Sequence, residues 1–138
     1  MSGFIINNRY WRVIFVEPNS SYLIDRTGSY CLATTDPSLN TIFVSELLFL
    51  NEVDAKKNTK YGLRLETVLL HELGHCVMIS YGLVDDIRRM VRPEYWIEME
   101  EWVCNFIADY GYEIFKIANN ILGKEDWVVV PKTLNRTA

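Results

Sequence analysis

The apolar and polar positions change period along the chain. Tyr10 to Glu17 reads Tyr-Trp-Arg-Val-Ile-Phe-Val-Glu, rich in aromatic and β-branched side chains, and Pro18-Asn19-Ser20 stops it. This predicts a strand. Tyr22-Leu23-Ile24 reads as a short strand or part of a turn, and Asp25-Arg26-Thr27-Gly28 is turn chemistry. Ser29 to Thr34 predicts a second strand, Asp36-Pro37-Ser38-Leu39-Asn40 a break, and Thr41-Ile42-Phe43-Val44 a third strand. Short strands joined by tight turns favour antiparallel pairing, so the N-terminal third is expected to be a small meander.

The period then becomes helical. Ser45 suits the N-cap of a short helix over Glu46 to about Leu50, and Asn51 to Lys60 reads as a solvated polar loop. Leu63 to about Tyr81 holds no proline and is apolar nearly all round, with Leu69, Leu73 and Cys76 on one side and Leu70 and Val77 on another. Such a helix is expected to be buried. Gly82 follows as a C-cap. Val84 to Pro93 reads as a short amphipathic turn of helix or a loop near the site. Glu94 to about Leu122 is a second long helix, started by Pro93 and ended by Gly123. On it Cys104, Ala108, Gly111, Tyr112, Phe115 and Ala118 share a face with Glu101, and the small members suit close approach to another helix. Trp127 to Val130 fits a last strand or a packed tail, and Leu134 to Ala138 a frayed end. The expected class is α+β: a small antiparallel sheet packed on two long helices, in one domain with its core over about residues 10–122 and a tail over 123–138.

Composition narrows the function. The chain has 138 residues, 49% of them hydrophobic, and a net charge of −4. That supports a real core and argues against direct nucleic-acid binding. No run approaches 18 apolar residues, so no membrane span is expected. Cys31, Cys76 and Cys104 suggest no disulfide framework, which makes a reducing cytoplasm the expected compartment.

The chemistry lies in the first long helix. His71-Glu72-Leu73-Gly74-His75 is H-E-x-x-H and contains both histidines of the chain. One helical turn apart, two imidazoles converge on one zinc ion, and the glutamate beside the first is placed as a general base. A buried helix would carry these polar groups at a cost unless they had partners. A catalytic zinc usually has three protein ligands. With no third histidine, the third is expected to be a carboxylate or cysteine, and Glu94, Glu98, Glu100 and Glu101 lie on the second long helix. Glu101 stands out because Asn105 follows one turn later, as an acceptor for the far ring N–H of a ligating histidine, most naturally His71. Glu98 and Glu100 have Trp102 and Cys104 at that position. Cys104 could reach the metal, while Cys76 points about 100° away from His75; free cysteines are commonly core residues.

His71 to His75 followed by Glu101-Trp102-Val103-Cys104-Asn105-Phe106-Ile107-Ala108 resembles the ImmA/IrrE-type metallopeptidases, whose second motif is similar to E-x-x-A-N-x-F-A. Cys104 and Ile107 replace its first alanine and its phenylalanine. A wider resemblance is to gluzincins such as thermolysin. The resemblance implies a minimal zincin-like fold over about residues 10–122, with zinc on His71, His75 and Glu101 and with Glu72 as catalytic base. It also implies a regulatory peptidase whose protein target is a helix-turn-helix repressor of a phage or mobile element. The competing expectation is a non-proteolytic binding or inhibitor protein with a structural zinc, against which an intact Glu72 argues. The second donor to an oxyanion is expected to be a tyrosine, an arginine or a backbone N–H, with Tyr81, Arg88, Arg89 and Tyr95 as the nearby candidates, and the strand Ile42–Val44 is expected to offer an edge for an extended substrate.

Overall fold

The computed structural model describes residues 2–48, 65–124, 126–127 and 129. The expected polar loop 51–60, the end of the short helix after Ser45, the first residues of the motif helix and the tail beyond Val129 lie outside them. The architecture is α+β, with a four-stranded sheet and three helices.

The strands are β1 (Ser2–Ile6), β2 (Arg9–Val16), β3 (Ala33–Asp36) and β4 (Thr41–Ser45), ordered β1-β2-β4-β3. β1 was not expected. It joins β2 through Asn7 and Asn8, both at positive φ (48° and 64°), as a two-residue hairpin turn requires. β3 and β4 also pair antiparallel, but β2 and β4 run parallel, which corrects the expected all-antiparallel meander. The cause is visible in the third predicted strand. Ile42, Phe43 and Val44 do not alternate with polar residues, because β4 is buried on both faces. Ile42 and Val44 join Trp11, Val13, Ala33 and Cys76 on the helix side, and Tyr22 stacks on Phe43 with ring centroids 4.3 Å apart. The connection that carries Tyr22 runs from β2 to β3, and β4 is interior, with β1 and β3 at the edges. Ile42–Val44 is therefore not the free edge that was expected. The predicted second strand also shifts: the ladder begins at Ala33 rather than Ser29 and includes Asp36. Tyr22-Leu23-Ile24 is a turn, with a 3-10 helix at Ser21–Leu23 whose Tyr22 N–H is capped by Ser20 Oγ.

The helices are α1 (Leu65–Ser80), α2 (Leu83–Met90) and α3 (Trp96–Leu122). Ser45 Oγ accepts from the Leu47 N–H, consistent with its expected capping role. α1 packs on two sides, while Val77, on the second side expected to be buried, is exposed. Val68, Leu69, Leu73 and Cys76 pack on the sheet, and Met78 packs with Cys104 and Ile87 on the other side. Trp11, fully buried, donates from its indole to Ser80 Oγ at 2.8 Å and pins the end of α1 to the sheet. Gly82 takes the left-handed conformation (φ 70°) between α1 and α2. Of the two readings of Val84 to Pro93, the helical one holds in α2, whose Ile87 is buried against α1 and α3. Trp127 does not extend a strand; its indole donates to Asn119 Oδ1 and its ring packs on Phe115, so this part of the tail folds back on α3. No single described helix is long and apolar enough to cross a membrane.

Candidate metal centre

α1 and α3 cross where their backbones come closest. A Cβ at Gly74 would lie 3.2 Å from Cys104 Sγ and 3.4 Å from Cys104 Cα. Nothing larger than glycine fits there without displacement, and the close crossing brings the turn before Cys104 against the two histidines. The small-residue expectation for α3 holds at Cys104. It does not hold at Gly111, where the nearest atom to a built Cβ is Ile107 Cγ2 of the same helix at 3.7 Å.

At the crossing His71, His75 and Glu101 converge, with ligand atoms all within 4.8 Å of one another. His71 Nε2 and His75 Nε2 are 3.2 Å apart; Glu101 Oε2 is 2.9 Å from His71 Nε2 and Oε1 is 3.3 Å from His75 Nε2. Ligands about 2.0–2.1 Å from one tetrahedral zinc stand about 3.3–3.4 Å from each other. The donor set and its spacing thus fit a metal ion, and the cluster could hold one. Among the four carboxylates weighed from sequence, Glu94 and Glu98 are exposed. Cys104 is buried against Met78 and Gly74, and Cys76 lies in the sheet-facing core.

The residues around this cluster differ from expectation. Asn105 is exposed and makes no hydrogen bond to His71 among the described residues. The orienting acceptor is Glu100, which is 7% exposed and accepts from His75 Nδ1 at 2.5 Å. With Nδ1–H given to Glu100, Nε2 is the ring nitrogen directed at the cluster. The reason is helical rotation. Glu100 stands one turn before Cys104, on the face that meets α1, whereas Asn105 is turned about 100° past that face. The small apolar Cys104 one turn after Glu100 was the sequence feature that could have marked this face.

Two further residues carry no such signal. Thr35 on β3 donates from Oγ1 to Glu72 Oε2 at 2.5 Å, holding a carboxylate that is 6% exposed. Arg26 bridges Glu100 Oε2 and Glu101 Oε1, each at 3.1 Å. Its turn is built by Asp25, whose carboxylate accepts from the Thr27 N–H, the Thr27 hydroxyl and the Ser29 N–H. The Thr27 hydroxyl, with these backbone bonds, lowers the Asp25 pKa.

Electrostatics follow from the same contacts. Burial opposes a charge on His75, but hydrogen bonds with Cys104, Glu100 and Glu101 outweigh it and raise its pKa to about 12. Glu101 is lowered, chiefly by hydrogen bonds from His71 and His75. Burial works against a charged Glu100, yet His75 and Arg26 hold its pKa below the ordinary value. Two carboxylates and a protonated imidazole compensate one another here, and a bound cation would take the place of the proton.

His71, Glu72, His75, Glu100 and Glu101 open on a cavity of about 700 Å³ that Ala33, Thr34 and Thr35 of the edge strand also line. Of the expected oxyanion donors, Arg88 reaches the cavity but stacks on Trp96. Arg89 pairs with the buried Asp86, and Tyr81 and Tyr95 do not line the cavity. Arg26 does. No family model, curated protein or solved structure matches this chain.

Proposed function

We propose that the protein is a zinc-dependent metallopeptidase that cleaves a specific protein target. The observation that carries this reading is the placement of Glu72. It is buried, held by Thr35, and faces the same cavity as the His71, His75 and Glu101 cluster. A site that only held a metal for structure would have no use for a carboxylate fixed beside it, and a structural zinc is normally closed by four protein ligands.

His71, His75 and Glu101 are the residues that would hold the zinc. Bound zinc supplies Lewis acidity, lowering the pKa of water towards about 7 and polarising a peptide carbonyl. Glu72 takes the proton of the attacking water and returns it to the leaving amine. Thr35 donates to one carboxylate oxygen of Glu72 and so leaves the other to handle the proton. Glu100 fixes the His75 tautomer, and Arg26 holds both glutamates while presenting a cation to the cavity, where it suits a developing oxyanion. Among the described residues β3 pairs only with β4, so its outer edge suits an extended peptide added as a strand.

The resemblance to ImmA/IrrE-type enzymes nominates a helix-turn-helix repressor as the target class. The test compares the proteomes of cells that express the wild-type chain or Glu72→Gln, by labelling protein N-termini. The wild type should create new internal N-termini in one or few proteins. Glu72→Gln, which keeps the shape and removes the base, should lower their formation at least about 100-fold while retaining zinc. Equal cleavage by both would overturn the proposal.

A further inference from the structure

The second half of α3 carries an exposed apolar stripe, while Trp127 packs on Phe115 and Asn119 on another side of the helix. Val103, Ile107, Tyr110, Ile114, Ile117 and Ile121 recur at alternating spacings of four and three, the heptad pattern of a helix that packs along another helix. Val103 lies in the contact between α1 and α3, but beyond Ile107 the stripe runs into solvent. Tyr110 is 54% exposed, Ile114 53%, Ile117 52% and Ile121 77%. Gly111 and Ala118 flank the stripe one heptad and two heptads after Cys104, the residue at the close crossing with α1. Glycine inside a helix costs about 1 kcal/mol relative to alanine. Among the described residues a Cβ at Gly111 meets nothing closer than 3.7 Å, so they give no packing reason for glycine there.

We infer that α3 docks against α3 of a second copy of the chain, antiparallel, about a two-fold axis between Phe115 and Lys116. In that register Ile114 meets the partner's Ile117, and Tyr110 meets the partner's Ile121. The stem of Lys124 covers the partner's Ile107. Gly111 faces the partner's Ala118, which allows close approach of the backbones. Glu113 faces the partner's Asn120, so no like charges oppose. A stripe self-complementary in this way fits an isologous dimer. Within the chain, the described tail residue Trp127 packs on the side of α3 away from the stripe, and residues 51–60 and 131–138 are mostly polar. The exposed stripe with its flanks offers on the order of 1,100 Å² for the pair, close to the roughly 1,000 Å² that a specific interface needs.

Sedimentation equilibrium of the full chain tests this, with the wild type beside Ile114→Glu, Ile121→Glu and Gly111→Ala. The wild type should be a dimer at micromolar concentration. Each glutamate variant should keep the far-ultraviolet circular dichroism and zinc content of the wild type and weaken dimerisation at least about 100-fold, as removal of a central contact does. Gly111→Ala should weaken the dimer while raising, or leaving unchanged, the melting temperature of dilute monomer. A wild type that stays monomeric to about 100 μM, at which any dimer would be too weak to matter, overturns the inference. So does a dimer indifferent to both glutamate substitutions.

Discussion

Glu100 and Glu101 are neighbours in sequence, yet they do different work because one residue of helix turns a side chain by about 100°. Glu101 meets the imidazole nitrogens of both histidines; Glu100 takes the far N–H of His75. Losing an orienting partner typically costs about 10–100-fold in metal affinity. Glu100→Gln should therefore weaken zinc binding by about that factor, and Asn105→Ala should change it less than about threefold, measured by competition with a chelator. Equal losses from the two would return the orienting role to Asn105. The histidines and Glu72 were legible because H-E-x-x-H is a local pattern with one geometry on a helix. Glu101 was singled out by Asn105 one turn later, which makes no bond to His71 among the described residues, and by the face it shares with the small residues of α3. Thr35 and Arg26 were not, because each reaches the site from another element and nothing local to a threonine on a strand or an arginine in a turn announces the glutamate it will meet.

At the scale of elements, the helix crossing governs the site. Gly74 lies inside the H-E-x-x-H motif, and its lack of a Cβ lets α3 approach close enough for Glu101 to reach His71 and His75. Gly74→Val should push the helices apart. Overpacking of this kind costs about 1–3 kcal/mol of stability, to be read from chemical denaturation. Zinc affinity should fall with it, even though no ligand has changed. A Gly74→Val protein with wild-type affinity would show that the crossing does not position Glu101. The helices were largely readable from periodicity and terminal signals: Pro93 opens the 3-10 turn before α3, and Gly82 and Gly123 sit at left-handed ends. The sheet order was not. A continuous apolar run such as Ile42-Phe43-Val44 reports burial on both faces but leaves open which strands flank it. Placing β4 beside β2 depends on the long connection that carries Tyr22 across the sheet.

For the whole molecule, the charge cluster sets a pH dependence. The Glu100 pKa is lowered from 4.5, so its contribution to folding is present above about pH 4.5 and is lost as the pH falls through the lowered value. The His75 pKa is raised from 6.5 to about 12, so its contribution is full below about pH 6.5 and declines as the pH rises towards 12. On these groups the metal-free protein should be most stable between about pH 4.5 and 6.5. Zinc competes with the proton, so the gain in melting temperature on adding zinc should grow from pH 6 to pH 8. Calorimetry of metal-free and zinc-loaded protein across that range measures it. A gain that shrinks with rising pH would contradict a site in which His75 must give up a proton.

The most direct test of the metal centre is zinc affinity, by chelator competition, for the wild type, His71→Ala, Glu101→Ala and Glu98→Ala. The wild type should bind one zinc per chain. His71→Ala and Glu101→Ala should each weaken binding by more than the roughly 100-fold seen for an orienting residue. Exposed Glu98 should be indifferent to substitution. Unchanged affinity in Glu101→Ala, or a wild type that takes up no zinc, would contradict the account.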